Sequence, residues 1–226
     1  PTFVEHGRVD GVFIIGGVFK DEYIHRLLAV GLPVVVVGSY VHDERVDCVF
    51  ADNFRGAYVI TEHLLKMGRR RIAFINGPSY TRTSSDKLRG YKAALDNYGV
   101  AFIPELVHDG DFSSTSGAKG IKHILDNCGE VDGVFGANCQ MAIGAMEFLQ
   151  TLGFGIPKDI SVVGYQDEII ASVVQPALTS VALHSYEMGL EAGRRMLSIL
   201  RYGDHLGVQI GMPTRLIIRE SCGCQL

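Results

Sequence analysis

The chain has 226 residues, 47% of them hydrophobic and 20% charged. That is the make-up of a globular protein, which excludes a disordered or fibrous chain, and at this length a fold buries about 70–75% of its unfolded surface without staples. The net charge of −4 argues against coating nucleic acid by charge alone, and no apolar run reaches the ~18–20 residues of a membrane span.

From the N-terminus, VFII (12–15), VVVVG (34–38) and VFA (49–51) are predicted as buried strands. They are continuous apolar runs bounded by turn residues or polar ones, as parallel strands covered on both faces require. A helical stripe follows over 53–67 (Ala57, Ile60, Leu64), stopped by Gly68. Strand IAFIN (72–76) comes next, then a helix over 84–98 with Leu88, Tyr91, Leu95 and Tyr98 on one face, ending at Gly99. A helix over 114–128 (Ile121, Ile124, Leu125) leads to strand GVFGA (133–137). A helix over 139–152 (Met141, Ala145, Phe148, Leu152) ends at Gly153 and is followed by strand SVVGY (161–165). The last helix, 185–202, places Tyr186, Gly189, Leu190, Gly193, Leu197 and Leu200 on one face before Gly203. Gly189 and Gly193 sit one turn apart, so a close backbone approach is expected there. Glycines after periodic stretches are the expected helix stops.

The alternation of strand and helix gives an α/β fold with parallel sheets, whose ligands bind beyond the carboxyl ends of the strands. No dinucleotide fingerprint, P-loop, nucleophile elbow or zinc-protease motif occurs, so no catalytic residue, cofactor or metal is expected. The five cysteines, Cys48, Cys128, Cys139, Cys222 and Cys224, are odd in number and scattered, which suits a reducing cytosol. The Cys222-Gly223-Cys224 tail reads as a frayed terminus. Arg69-Arg70-Arg71 stands at a helix C-terminus and is explained by the helix dipole.

Nine segments together resemble the effector-binding core of LacI/GalR-type transcriptional regulators. They are VDGVFIIGG (9–17), PVVVVGS (33–39), VFADNFRGAYVITEHLLKMGRRRIAFINGP (49–78), KLRGYKAAL (87–95), GDF (110–112), ANCQMAIGAMEFLQTLG (137–153), IPKDISVVGYQDE (156–168), PALTSV (176–181) and RLIIRESC (215–222). The resemblance implies two periplasmic-binding-protein-like subdomains with a small effector, a sugar or sugar phosphate, held in the cleft between them. Three chain crossings place residues 1–49 and 183–210 in the N-terminal subdomain, and 50–182 and 211–226 in the C-terminal one. It also implies a homodimer, no membrane association, and contact with operator DNA only through an N-terminal headpiece. Residues 1–8 are too short to be that headpiece. The chain is therefore expected to be part of a longer cytoplasmic regulator, without the first strand–helix unit of its N-terminal subdomain. The alternative is a sugar-binding protein of a transport system, against which stand the missing signal peptide and the cysteines.

By the same resemblance the effector contacts are Tyr80, Lys87, Phe112, Asn138 and Gln166. Phe112 matches the family's stacking aromatic; its competing role is core packing. Asn138 matches a ligand-binding asparagine and also suits an N-cap. Lys87 stands where the family has an arginine, keeping the charge without the bidentate fork. Tyr80 is a gate candidate. Three family acids have become Gly38, Cys139 and Gln166. Gln166 still donates and accepts, whereas Cys139 reads as a packing residue. The lost carboxylates make the site less negative.

Overall fold

The computed structural model describes residues 9–16, 19–204 and 206–224. Residues 1–8, read above as too short for a headpiece, lie outside them, as does Gly17. The chain divides into two compact units, with breaks after Asp52, Leu183 and Pro213.

The smaller unit contains β1 (Val12–Ile15), α1 (Asp21–Ala29), β2 (Val34–Val37), β3 (Asp47–Ala51), α7 (Ser185–Tyr202) and β9 (Gln209–Met212). Its sheet runs β1-β2-β3-β9, parallel throughout. Val34, Val36 and Cys48 from the strands meet Ile24 and Leu27 of α1 in its core. Arg195 of α7 fastens this unit. Its Nε donates to the buried Asp47 Oδ2 at 2.8 Å and its Nη1 to Asp204 Oδ2 at 3.0 Å. Asp47 Oδ1 in turn accepts from Val208 N at 2.6 Å, tying β9 to β3.

The larger unit contains α2 (Asn53–Lys66), β4 (Ile72–Asn76), α3 (Arg82–Asn97), β5 (Val107–Asp109), α4 (Ser114–Cys128), β6 (Gly133–Gly136), α5 (Cys139–Thr151), β7 (Ser161–Gln166), α6 (Ile170–Val173), β8 (Thr179–Ala182) and β10 (Arg215–Ile217). The sheet order is β10-β8-β7-β6-β4-β5. All neighbours are parallel except β10, which is antiparallel to β8. A stack of Phe135, Phe74 and Tyr91, with ring centroids 4.6 and 5.1 Å apart, fills the core, and Tyr91 donates its hydroxyl to Ile72 O. Burial pushes that phenol well above its ordinary range. Helices pair closely where a side chain is missing: a Cβ on Gly117 would sit 2.1 Å from Met141 O.

The chain leaves β4 for β5 at the edge and then returns to β6 on the other side of β4. Strand order therefore reverses at β4, and the carboxyl ends of β4 and β6 flank the switch point at which open α/β sheets hold ligands.

The α/β class follows the sequence reading, with β10 the antiparallel exception. Other expectations need correction. The apolar stripe read on 185–202 is not the buried one: α7 buries Met188, Ala192, Met196 and Ile199, while Leu190, Leu197 and Leu200 are about half exposed. Two apolar faces share this helix, and the sheet takes the one with the smaller and more pliable side chains. Apart from the helix's own backbone, no heavy atom of the described residues lies within 4 Å of a Cβ built on Gly189 or Gly193, so no other element's backbone approaches there. The tail is not frayed through Cys222. Ser221 N donates to Ala177 O, Ser221 Oγ to Val162 O, and Ser161 Oγ to Cys222 O, leaving Cys222 fully buried. Arg70 Nη1 donates to Leu65 O and Arg71 Nη2 to Cys128 O, closing the C-termini of α2 and α4. Among the described residues no helix is long and apolar enough to cross a membrane.

Candidate functional site

The larger unit places several polar and strained residues at its strand ends around the β4–β6 switch point. Asn76 ends β4 and is buried; its Nδ2 donates to Ser84 O, and its Oδ1 has no hydrogen-bond partner among the described residues. Gly77 follows. A Cβ at Gly77 would lie 2.2 Å from Phe112 Cζ, so the Phe112 ring rests against this bare backbone.

Phe112 stands three residues after β5 with φ of 70°. Non-glycine residues rarely hold this left-handed conformation, and it persists only where neighbours enforce it. Three groups do so here. Asp111 Oδ1 accepts from Ser113 N at 2.9 Å, Ser113 Oγ caps α4 by accepting from Ser116 N at 3.1 Å, and Asn138 Nδ2 donates to Phe112 O at 2.8 Å. Donors from Ser113 lead the causes that hold the Asp111 carboxyl at about 2.

Asn138 follows β6 directly and does two jobs. Its Oδ1 accepts from Met141 N at 2.8 Å, capping α5, while its Nδ2 holds Phe112. The cap anticipated from the sequence is therefore present, together with a contact that sequence could not show.

Lys87 is on α3 but is not a solvated helix charge; only 4% of it is exposed. Its Nζ donates to Ala137 O at 3.0 Å, lies 4.5 Å from the Tyr165 ring centroid and 5.9 Å from that of Phe112. An ammonium over an aromatic face is attracted by the ring quadrupole. Burial nevertheless draws this amine down to about 7.

β7 ends in two further strained residues, Gln166 at φ 84° and Asp167 at φ 52°. Arg219 braces the turn: its Nη1 donates to Asp167 Oδ1 at 2.6 Å and to Leu178 O at 2.7 Å. Asp167 N also donates to Ser180 Oγ. Gln166 itself is exposed. Cys139 turns inward; its Sγ contacts Tyr165 O at 3.2 Å, and burial pushes the thiol up.

Of the five residues proposed from sequence, the structure thus brings Lys87, Phe112 and Asn138 into direct or shared contact. It sets Gln166 at the neighbouring strand end. Tyr80 lies in the β4–α3 loop and is 78% exposed. Sequence reasoning missed Asn76, Gly77 and Tyr165. The signal was available: each lies at or next to the last residue of a predicted strand.

Residues 61–222 match the family model described as a periplasmic binding protein-like domain. The HTH-type transcriptional regulator CelR of Thermobifida fusca is 34% identical over 217 residues, 95% of this chain and 64% of that protein. The present chain thus spans less than two thirds of that relative's length. A solved complex of the transcriptional regulator CelR with cellobiose superposes with a TM-score of 0.93 at 32% identity, covering 97% of this chain and 68% of that one. A sugar-binding LacI-family regulator from Escherichia coli, solved with phosphate, gives a TM-score of 0.85 at 28% identity, covering 97% of this chain and 79% of that one. The chain belongs to the periplasmic binding protein-like domain family, in the form that serves LacI/GalR-type regulators as effector-binding domain.

Proposed function

We propose that this chain senses a small sugar-like metabolite for a LacI-type transcriptional regulator, with Lys87, Phe112, Asn138 and Gln166 among its contacts. The observation that carries the reading is the convergence of a buried amine, an aromatic ring and two strained turns beside one topological switch point. Hydrogen-bonding groups and an aromatic face are what a sugar ring needs. Ligand binding would favour one arrangement of the two units over another, and only such a differential affinity transmits a signal. Operator DNA would be read by a headpiece outside this sequence, in the cytoplasm, with no catalytic step and no cofactor. Similarity to regulators favours this over a transport role.

A homodimer belongs to the same reading, since two-fold proteins match near-palindromic operators. Ile169, Ile170 and Val173 form an exposed apolar group around α6, suited to cover its counterpart on a second copy. The function is tested by thermal shift against sugars, sugar phosphates and purines on wild type and Gln166→Ala. A ligand that stabilises wild type and loses its effect in the variant is expected. The absence of any stabilising ligand across all three classes would refute the reading.

A further inference from the structure

We propose that Cys222 and Cys224 form an oxidation site, at which a hydroperoxide converts the two thiols to a disulfide while the His63 imidazole takes the proton of the attacking thiol. The pair lies outside the strand-end cluster and does not rest on the effector-sensing reading.

Cys222 closes the short helical turn Glu220–Cys222 and is fully buried, with its carbonyl accepting from Ser161 Oγ at 2.8 Å. Gly223 follows in the left-handed conformation, φ 83° and ψ 10°. That turn folds the chain back, which holds the Cα atoms of Cys222 and Cys224 within the ~4.4–6.8 Å that a disulfide spans. Neither cysteine is in a disulfide, and Cys224 is half-buried, so it is the one of the two that solvent reaches. His63 comes from α2; its Nε2 is buried without a well-directed hydrogen bond among the described residues. Burial alone would raise the Cys222 thiol, but the His63 imidazole, the Thr179 side chain and the Cys224 backbone draw it below its ordinary value. Cys139 is the contrast, equally buried but with its thiol pushed up. The thiolate is the form that attacks.

The chemistry balances with a hydroperoxide as oxidant. The Cys224 sulfur attacks the peroxide, the O–O bond breaks, and Cys224 becomes a sulfenic acid while an alcohol, or water from hydrogen peroxide, leaves. Cys222 gives its proton to His63, and its sulfur attacks Cys224 Sγ. The S–S bond forms, and the expelled hydroxide takes the proton from His63 as water. Two thiols are oxidised and one peroxide is reduced. Cys222 Sγ meanwhile gives up its contact with Arg219 O, now at 3.5 Å, on the residue that braces Asp167.

The test exposes the folded chain to hydrogen peroxide, blocks the remaining thiols with N-ethylmaleimide in denaturant, and cuts with trypsin after Arg219. The released peptide Glu220–Leu226 carries Cys222 and Cys224 and no other cysteine. From wild type it is expected unblocked and lighter by two hydrogens, and dithiothreitol should restore both thiols. Cys222→Ser should stop at a Cys224 sulfenic acid that dimedone captures, and Cys224→Ser should leave Cys222 as a blockable thiol. His63→Gln should slow closure about ten-fold at neutral pH and move its rate profile to higher pH. Closure is decided on wild type and the half-buried Cys224→Ser, so a Cys222→Ser chain that fails to fold leaves the test intact. Two blocked thiols in the wild-type peptide after peroxide, or pairing of either cysteine with Cys48, Cys128 or Cys139, overturns the inference. A rate and pH profile unchanged in His63→Gln overturns the role given to the imidazole.

Discussion

Asn138 offers the sharpest dissection of the site, because its two side-chain atoms serve different elements. Oδ1 caps α5 through Met141 N, and Nδ2 restrains the left-handed Phe112 through its carbonyl. Asn138→Ala removes both. An N-cap is worth about 1 kcal/mol, and a buried hydrogen bond about 1–1.5 kcal/mol. The alanine variant should therefore lose about 2–2.5 kcal/mol, which at this chain length lowers the melting midpoint by roughly 4–10 °C. Asn138→Ser keeps the cap, since serine is a good N-cap, but cannot reach Phe112 O; its loss should be about 1 kcal/mol. Thermal and urea unfolding of the three proteins give the differences, and ligand titration gives the functional arm. Both variants should weaken ligand binding, because in both the aromatic ring is released from its turn. A serine variant equal to wild type in stability and binding would refute a role for the Phe112 contact. Equal losses in serine and alanine would refute the cap.

Gly77→Ala should push the Phe112 ring aside, since its Cβ would lie 2.2 Å from Cζ; ligand affinity should fall at least ten-fold, and unchanged affinity would detach the ring from the site. Arg195→Met leaves Asp47 buried without its cation, which costs about 3–5 kcal/mol in comparable pairs; urea unfolding that moves by less than about 1 kcal/mol would contradict the pairing. Lys87 is the clearest pH probe. Its folded value near 7 lies below its ordinary 10.5, so the unfolded chain binds the extra proton between them. Its contribution to stability therefore rises with pH from about 7 to 10.5. The melting midpoint of wild type should climb relative to Lys87→Met across that window; parallel curves would place the amine in water. Replacing Ile169 and Val173 with aspartate should turn a dimer into a monomer in sedimentation, and a dimer that persists would move the interface elsewhere.

How much of this was readable in advance follows from burial. Runs such as VVVV and IAFIN belong to strands covered on both faces, with nearly every residue buried, so composition alone marks them. The edge elements carry no such mark. β9 and β10 are half exposed, with an arginine or glutamine at their first position, and β5 is three residues long. Helix α1 buries only Ile24 and Leu27, too thin a stripe to stand out from a polar loop. The misread face of α7 has the opposite cause: leucines are stronger hydrophobic signals than alanine or methionine, but the sheet's own shape selected the latter.

For the site, sequence supplied positions and not states. That residues after strand ends would matter follows from topology, but Phe112, Asn138 and Gln166 were singled out by the family resemblance. Nothing in the string DKLRGY distinguishes a buried lysine from a solvated one, because burial depends on Tyr165 and Ala137, which arrive 78 and 50 residues later. Nor does Gly-Asp-Phe announce that the phenylalanine, not the glycine, takes the left-handed conformation. That choice is forced by Asn138 pulling on the Phe112 carbonyl and by the bare Gly77 backbone receiving the ring. Strain at Phe112, Gln166 and Asp167 thus sits at the carboxyl ends of two strands, β5 and β7, and each strained residue is braced from an element outside its own turn or next to one that is. On the proposed reading, a site organised this way would hold its contacts ready before a ligand arrives, so the loss of one brace should register in affinity more than in fold.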